Sequence, residues 1–178
     1  MSATESIAPT SRLWTADGFQ EDHWQRAEDL GALDGNASVV LPLGVFLALD
    51  PAVRESVIAR LGVEVQPGEA IEQLTPFLKN LPLVVLVFPK FSDGRSFSKA
   101  ELLRSRHGYK GEIRATGDVL YDQIPHMLRC GFSAFEVKNE ATLRHLESGR
   151  RGGIPLYYQP SAAAPAKAGR YAWRRLAQ

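Results

Sequence analysis

The sequence holds one cysteine, Cys130, among 178 residues, so no disulfide can close within the chain and no multi-cysteine zinc or iron–sulfur site can be built by it. Net charge is equally scarce. Lys and Arg number 21 against 20 Asp and Glu, and the resulting +1 creates no global field that would draw the chain to nucleic acid or to a membrane surface. Long apolar runs are missing too. The longest, Leu81 to Phe88, falls far short of the roughly 20 residues that span a bilayer. The opening MSATESIAPTSRLW contains no apolar segment of signal-peptide length, and these absences together read as a cytoplasmic protein. The four histidines, His23, His107, His126 and His145, lie in different segments without metal-ligand spacing, so no metal site is expected. GxGxxG, a Walker-type lysine loop and GxSxG are all absent, which leaves any cofactor unassigned.

What is present is ordinary globular composition, 44% hydrophobic and 23% charged, in a length that suits one domain with a real core. Three regions separate by pattern: a leader over 1–37 with short strand or turn pieces, an α/β domain over 38–159, and an Ala/Pro linker with a basic tail over 160–178. In the leader, WTADGF and EDHW read as a short strand, a turn at Asp17-Gly18 and a second short piece.

From Ser38 onward a repeating unit begins. SVVLPL (38–43) is a strand candidate, and Asp50-Pro51 is a helix start with Asp50 as N-cap. Val53, Val57, Ile58 and Leu61 then share a helical face that Gly62 would close. Val63–Val65 reads as a small strand, and 69–79 as a second helix interrupted at Pro76. LPLVVLVF (81–88) is the strongest strand signal, continuous rather than alternating, as expected of a strand covered on both faces. Ser98 and Glu101 have the spacing of a capping box for the helix that follows. GEIRAT (111–116) is the next strand, then a helix from Asp122 as N-cap to a stop at Gly131, strand 133–137, a helix capped by Asn139, and a last strand at IPLYY (154–158). Strand and helix alternating about every 25 residues predict an α/β fold of repeated βα units with a mostly parallel sheet, either open or an incomplete barrel.

In both arrangements function gathers at the C-terminal ends of the strands. That rule selects Lys90, Asp93 and Arg95 after the 81–88 strand, Arg114 with Asp118, Asp122 and Gln123 at the next, and Glu136 with Lys138 at the third. Arg95 and Arg114 can form an anion clamp, because guanidinium grips oxyanions bidentately, and the helix start at Ser98 adds backbone donors. Arg95, Arg114, Gln123 and Ser98 are thus candidates for anion or substrate binding, and Asp93 and Asp122 for acid–base catalysis. The bland alternatives are a turn at Asp93-Gly94, a rim ion pair from Arg95 to Asp118 or Asp122, and capping by Ser98. Arg114, set among apolar residues, needs a partner in either case. Cys130 precedes a helix stop, where the negative end of the dipole raises a thiol pKa, so it reads as packing. The loop GRRGG (149–153) can touch a phosphate, and Tyr171 and Trp173 in the tail can anchor a docking segment.

The words FPKFSDGRSFSKAELLR, GYKGEIRATGDVLYDQ and LRCGFSAFEV, in this order and spacing, resemble a bacterial family of small proteins encoded beside assimilatory sulfite reductase genes and labelled "oxidoreductase probably involved in sulfite reduction". The matching positions are Asp93, Gly94, Arg95, Ser98, Arg104, Glu112, Arg114, Gly117, Asp122, Gln123 and Arg129, with Pro125 and His126 departing from the pattern. The resemblance implies a role in sulfur assimilation and names no reaction. Two functions stand as expectations. One is an accessory protein of sulfite reduction that binds a small oxyanion or docks on sulfite reductase or another sulfur-assimilation enzyme. The other is a stand-alone enzyme acting on a small anionic metabolite. Short early strands leave edges that can pair between chains, so a homodimer is also expected.

Overall fold

The computed structural model describes residues 11–28 and 37–149. The expected strand at 154–158, the basic loop beyond Gly149, the linker and tail over 160–178 and the first ten residues of the leader lie outside the described residues.

The described chain forms strands β1 (Arg12–Thr15), β2 (Gly18–Gln20), β3 (Trp24–Arg26), β4 (Ser38–Pro42), β5 (Leu61–Val65), β6 (Leu83–Phe88), β7 (Glu112–Gly117) and β8 (Ala134–Val137). Its helices are α1 (Leu43–Ala48), α2 (Pro51–Val57), α3 (Arg95–Ser105), α4 (Ile124–Cys130) and α5 (Glu140–Glu147). All eight strands join one sheet in the order β2-β1-β8-β7-β6-β5-β4-β3. The run from β3 to β8 is parallel, and β1 and β2 add an antiparallel hairpin beyond β8. The sheet is mostly parallel, open and curled into a half-barrel, and the leader region contributes three of its strands.

The curl follows from chain length. The edge strands β2 and β3 are joined by Glu21, Asp22 and His23 alone, which span at most about 14 Å. Seven strand spacings laid flat would separate the same edges by about 34 Å. The sheet must therefore roll until its edges approach, with residues 21–23 as a strap across the opening.

Register sorts the side chains onto two faces. Val39, Leu41, Val63, Val84, Leu86, Phe88, Ile113, Ala115, Phe135 and Val137 form one apolar face, covered by Ala100 and Leu103 of α3, Met127 of α4 and Leu146 of α5. The inner face carries a smaller apolar group, Val40, Leu83 and Val85 under Trp24, and then turns polar. Both faces of β6 are covered, which is why its sequence is apolar without alternation.

Several local expectations change. Gly62 does not stop a helix. The helix α2 ends at Val57 and passes through a 3-10 turn, and Gly62 lies inside β5, where a Cβ would meet Leu83 at 2.9 Å and Val40 at 3.1 Å. Val53, expected on the buried face of α2, is 45% exposed. The helix expected over 69–79 shrinks to a 3-10 turn, Ile71–Leu74, because its apolar residues Ile71, Leu74 and Leu78 anchor a tight connection instead. Helix α3 starts at Arg95, so Ser98 lies one turn inside it and caps nothing. Asp93 accepts from the Arg95 amide, and the hydroxyl of buried Ser96 donates to the Val87 carbonyl at 2.7 Å, which together bring the start forward. Asp122 does not cap α4 either, since Gln123 occupies the cap position. Asp50 and Asn139 cap α2 and α5 through their side chains, as their sequence positions imply.

Gly117 ends β7 with φ +96°, and a Cβ there would collide with the Phe88 carbonyl of the neighbouring strand. Backbone obstructs it from one side and conformation from the other. Gly117→Ala is expected to cost about 3 kcal/mol in urea unfolding, from strain and overpacking combined. A loss below about 1 kcal/mol would mean that the β6–β7 rim yields.

Candidate functional site

Two polar assemblies emerge at or near the C-terminal half of the sheet, one inside the curl and one on the rim.

The inner assembly centres on Arg114. On an inward-facing position of β7 its side chain is 1% exposed. Its Nε donates to Glu112 at 2.8 Å, and its Nη1 donates to Asp22 at 2.9 Å and to Glu136 at 3.2 Å. Glu136, 2% exposed, also accepts from Thr116 at 2.7 Å and from Arg26 at 2.9 Å, while Arg26 reaches Glu64 at 2.9 Å. The pairing explains why charge survives burial here. Desolvation alone would push Arg26 and Arg114 down, yet both are raised above the ordinary arginine value by the carboxylates around them. Two guanidinium groups face four carboxylates, Asp22, Glu64, Glu112 and Glu136, so the curl is acidic in sum. Arg114 does meet the need for a partner that its apolar neighbours imposed, and the partners are the chain's own.

The rim assembly is built by the loops after β6 and β7. Asp118 accepts the Phe91 amide at 2.9 Å, Gln123 donates to the Phe91 carbonyl at 2.8 Å, and the Asp118 amide donates to the Phe88 carbonyl at 2.7 Å. Both backbone groups of Phe91 are thus fixed by side chains of the adjacent loop, and its ring stands 53% exposed. The Oε1 of Gln123 is buried without a hydrogen-bond partner among the described residues. Next to this clasp, Arg95 folds back on Asp93 with bonds of 2.9 Å and 2.6 Å, and the Arg95 amide also donates to Asp93. Hydrogen bonding from Arg95 lowers the Asp93 carboxyl from 3.8 to about 2.

The sequence-selected residues therefore divide. Asp93, Arg95, Asp118 and Gln123 do gather on one rim. Arg114 does not join them; it faces into the curl while Arg95 begins a helix on the outer side, and the two share no bonding partner. The position an anion would take at Arg95, between the guanidinium and the first amides of α3, is occupied by the carboxylate of Asp93. Arg95 pairs with Asp93 in its own turn, and not with Asp118 or Asp122. Asp122 is exposed at the start of α4, and Ser98 is exposed on α3. Sequence reading passed over Phe91, Arg26, Asp22 and Glu64. A lone exposed Phe in a loop carries no periodic signal, and the partners of Arg114 lie up to 92 residues away. Among the described residues, no group of three or more His, Cys, Asp and Glu is arranged to hold a metal ion. No helix there is long and apolar enough to cross a membrane.

A curled α/β half-barrel with an ion-paired interior and a loop-clasped aromatic rim defines the class of protein. The chain belongs to the bacterial protein family of unknown function DUF934, whose sequence profile matches residues 62–168, from β5 onward. No curated protein matches it.

Two measurements follow. Asp93 has a folded pKa below its ordinary value, so its contribution to stability is complete above about pH 4 and fades as pH falls towards 2. In Arg95→Ala its carboxyl is expected to titrate near 3.8 by NMR, and an unmoved pKa would assign the depression to another cause. Arg114→Met leaves Arg26 as the one cation bonded to buried Glu136 and strips Asp22 and Glu112 of their guanidinium. It is expected to cost about 3–5 kcal/mol in urea unfolding, with part recovered when Glu136→Gln is added. Independent, additive losses would contradict a coupled network.

Proposed function

We propose that this protein is a docking module, an accessory protein of assimilatory sulfite reduction that binds sulfite reductase or another enzyme of that route through its C-terminal rim. The observation that carries the reading is Phe91. This large aromatic residue is 53% exposed, and both of its backbone groups are hydrogen-bonded, by Asp118 and Gln123. Fixing the backbone that presents an aromatic before contact lowers the entropy lost on binding, and buried aromatics and arginines dominate interface energetics. Arg95, four residues further on, is 62% exposed and already oriented by Asp93. The sulfur-assimilation context rests on the sequence resemblance, and the docking role on the rim.

The stand-alone enzyme reading has less behind it. Its proposed acid, Asp93, is held at about 2 by Arg95, a poor match to acid–base work near neutral pH, and its proposed anion clamp is divided between two assemblies. Oxyanion binding at Arg95 would have to displace Asp93.

The test is direct binding of the purified chain to purified assimilatory sulfite reductase. Saturable association is expected, weakened at least about tenfold by Phe91→Ser, which removes a side chain that contributes little to the core. Absence of association, together with normal growth on sulfate of a strain lacking the gene, would end the proposal.

A further inference from the structure

At the other end of the same strands lies a cleft of about 610 Å³, a size that suits a small organic ligand. It opens between the turns that lead into β6 and β7, and its lining includes Leu78, Lys79, Pro82, His107, Tyr109 and Lys110. No Asp or Glu lines it, whereas two lysines do. In a chain whose acids and bases nearly balance, that local composition is one-sided.

A third cation stands behind the wall. Arg104 of α3, half-buried, gives its guanidinium to three backbone carbonyls: Tyr109 at 2.7 Å, Gly111 at 2.8 Å and Gly131 at 3.0 Å. It makes no ion pair among the described residues, and burial lowers its pKa. A carbonyl cage satisfies its donors and leaves its charge to act through the wall into the cleft. The same three bonds hold the 109–111 turn in place. Tyr109, 2% exposed with its hydroxyl donating to the Leu81 carbonyl at 3.1 Å, ties that turn to the entrance of β6. Both walls are therefore fixed to one another before any ligand arrives.

We propose that this cleft binds a small organic anion carrying a phosphate or sulfate group, with Lys79 and Lys110 meeting the oxyanion and Leu78 and Pro82 packing against its body. The site is independent of the docking rim, which lies at the opposite ends of β6 and β7. A lysine pair suits this ligand because ammonium groups on flexible stems adapt to a tetrahedral oxyanion, and Arg104 supplies long-range attraction without contact.

The experiment is an amide NMR titration of the full chain with inorganic phosphate, inorganic sulfate and AMP. Saturable shifts are expected at residues 79–81 and 107–111, with AMP binding tighter than either free ion because the cleft volume exceeds that of an ion. Lys79→Glu with Lys110→Glu, both exposed positions, is expected to weaken binding by about tenfold or more, while Phe91→Ser leaves it unchanged. Free ions binding as tightly as AMP would overturn the organic body, and the anion site would stand only as an ion site. No saturable shift at these amides with any probe, or shifts indifferent to the lysine reversals, would overturn the proposal entirely. Failure of the rim to bind sulfite reductase would leave this outcome untouched.

Discussion

Three residues, Glu21 to His23, connect the two edges of an eight-stranded sheet, and most of this architecture depends on that short reach. A flat sheet cannot satisfy it. Rolling the sheet brings an inner face into existence, and an inner face of this size must be filled. Trp24 with Val40, Leu83 and Val85 fills one part of it with apolar side chains. Level with them on neighbouring strands lies the ion-paired group around Arg114, to which the strap itself contributes Asp22. The bond from Arg26 to Glu136 joins strands separated by four others in the sheet. Such a bond is open only to side chains pointing into a curl. Removing two charges from water is costly, and networks of this type return the cost only when every member is bonded. That makes the inner group a requirement of closure more than a source of excess stability.

Legibility in the sequence followed the range of the interaction. Strand β6 was readable because a strand covered on both faces must be apolar along its whole length. Asp50 and Asn139 were readable because a side-chain cap acts within three residues. Arg114 was half readable: its apolar setting demanded a partner, but nothing local could say that Asp22 and Glu136 would supply it. The start of α3 was misplaced for a different reason. Ser98 and Glu101 had the spacing of a cap, yet Asp93 and Ser96 bonded to nearby backbone first. Local signals of similar strength competed, and contact with the end of β6 decided between them. Gly62 shows the same rule from the other side, since a glycine that resembled a helix stop was needed for clearance beneath Leu83.

The rim and the cleft divide the charged surface between two kinds of work. On the rim, opposite charges pair in place, and the exposed feature is an aromatic ring. At the base, two lysines and no acid line the cleft. Because β6 and β7 run straight between the two, each site is anchored by the same buried pair of strands. An α/β sheet usually offers its C-terminal ends to ligands. Here the loops at those ends are bonded to each other, and open volume lies below.

The strap also decides which strands border the sheet. One continuous segment, residues 12–26, supplies both borders: β1 and β2 on one side and β3 on the other. Each border strand at the margin is three residues long, too short to template an added strand. Loss of that single segment would bare β8 and β4 together, two strands with free ladder groups. The family profile begins at Gly62, after this segment. The segment that supplies both borders of the sheet thus lies ahead of the part by which the family is known.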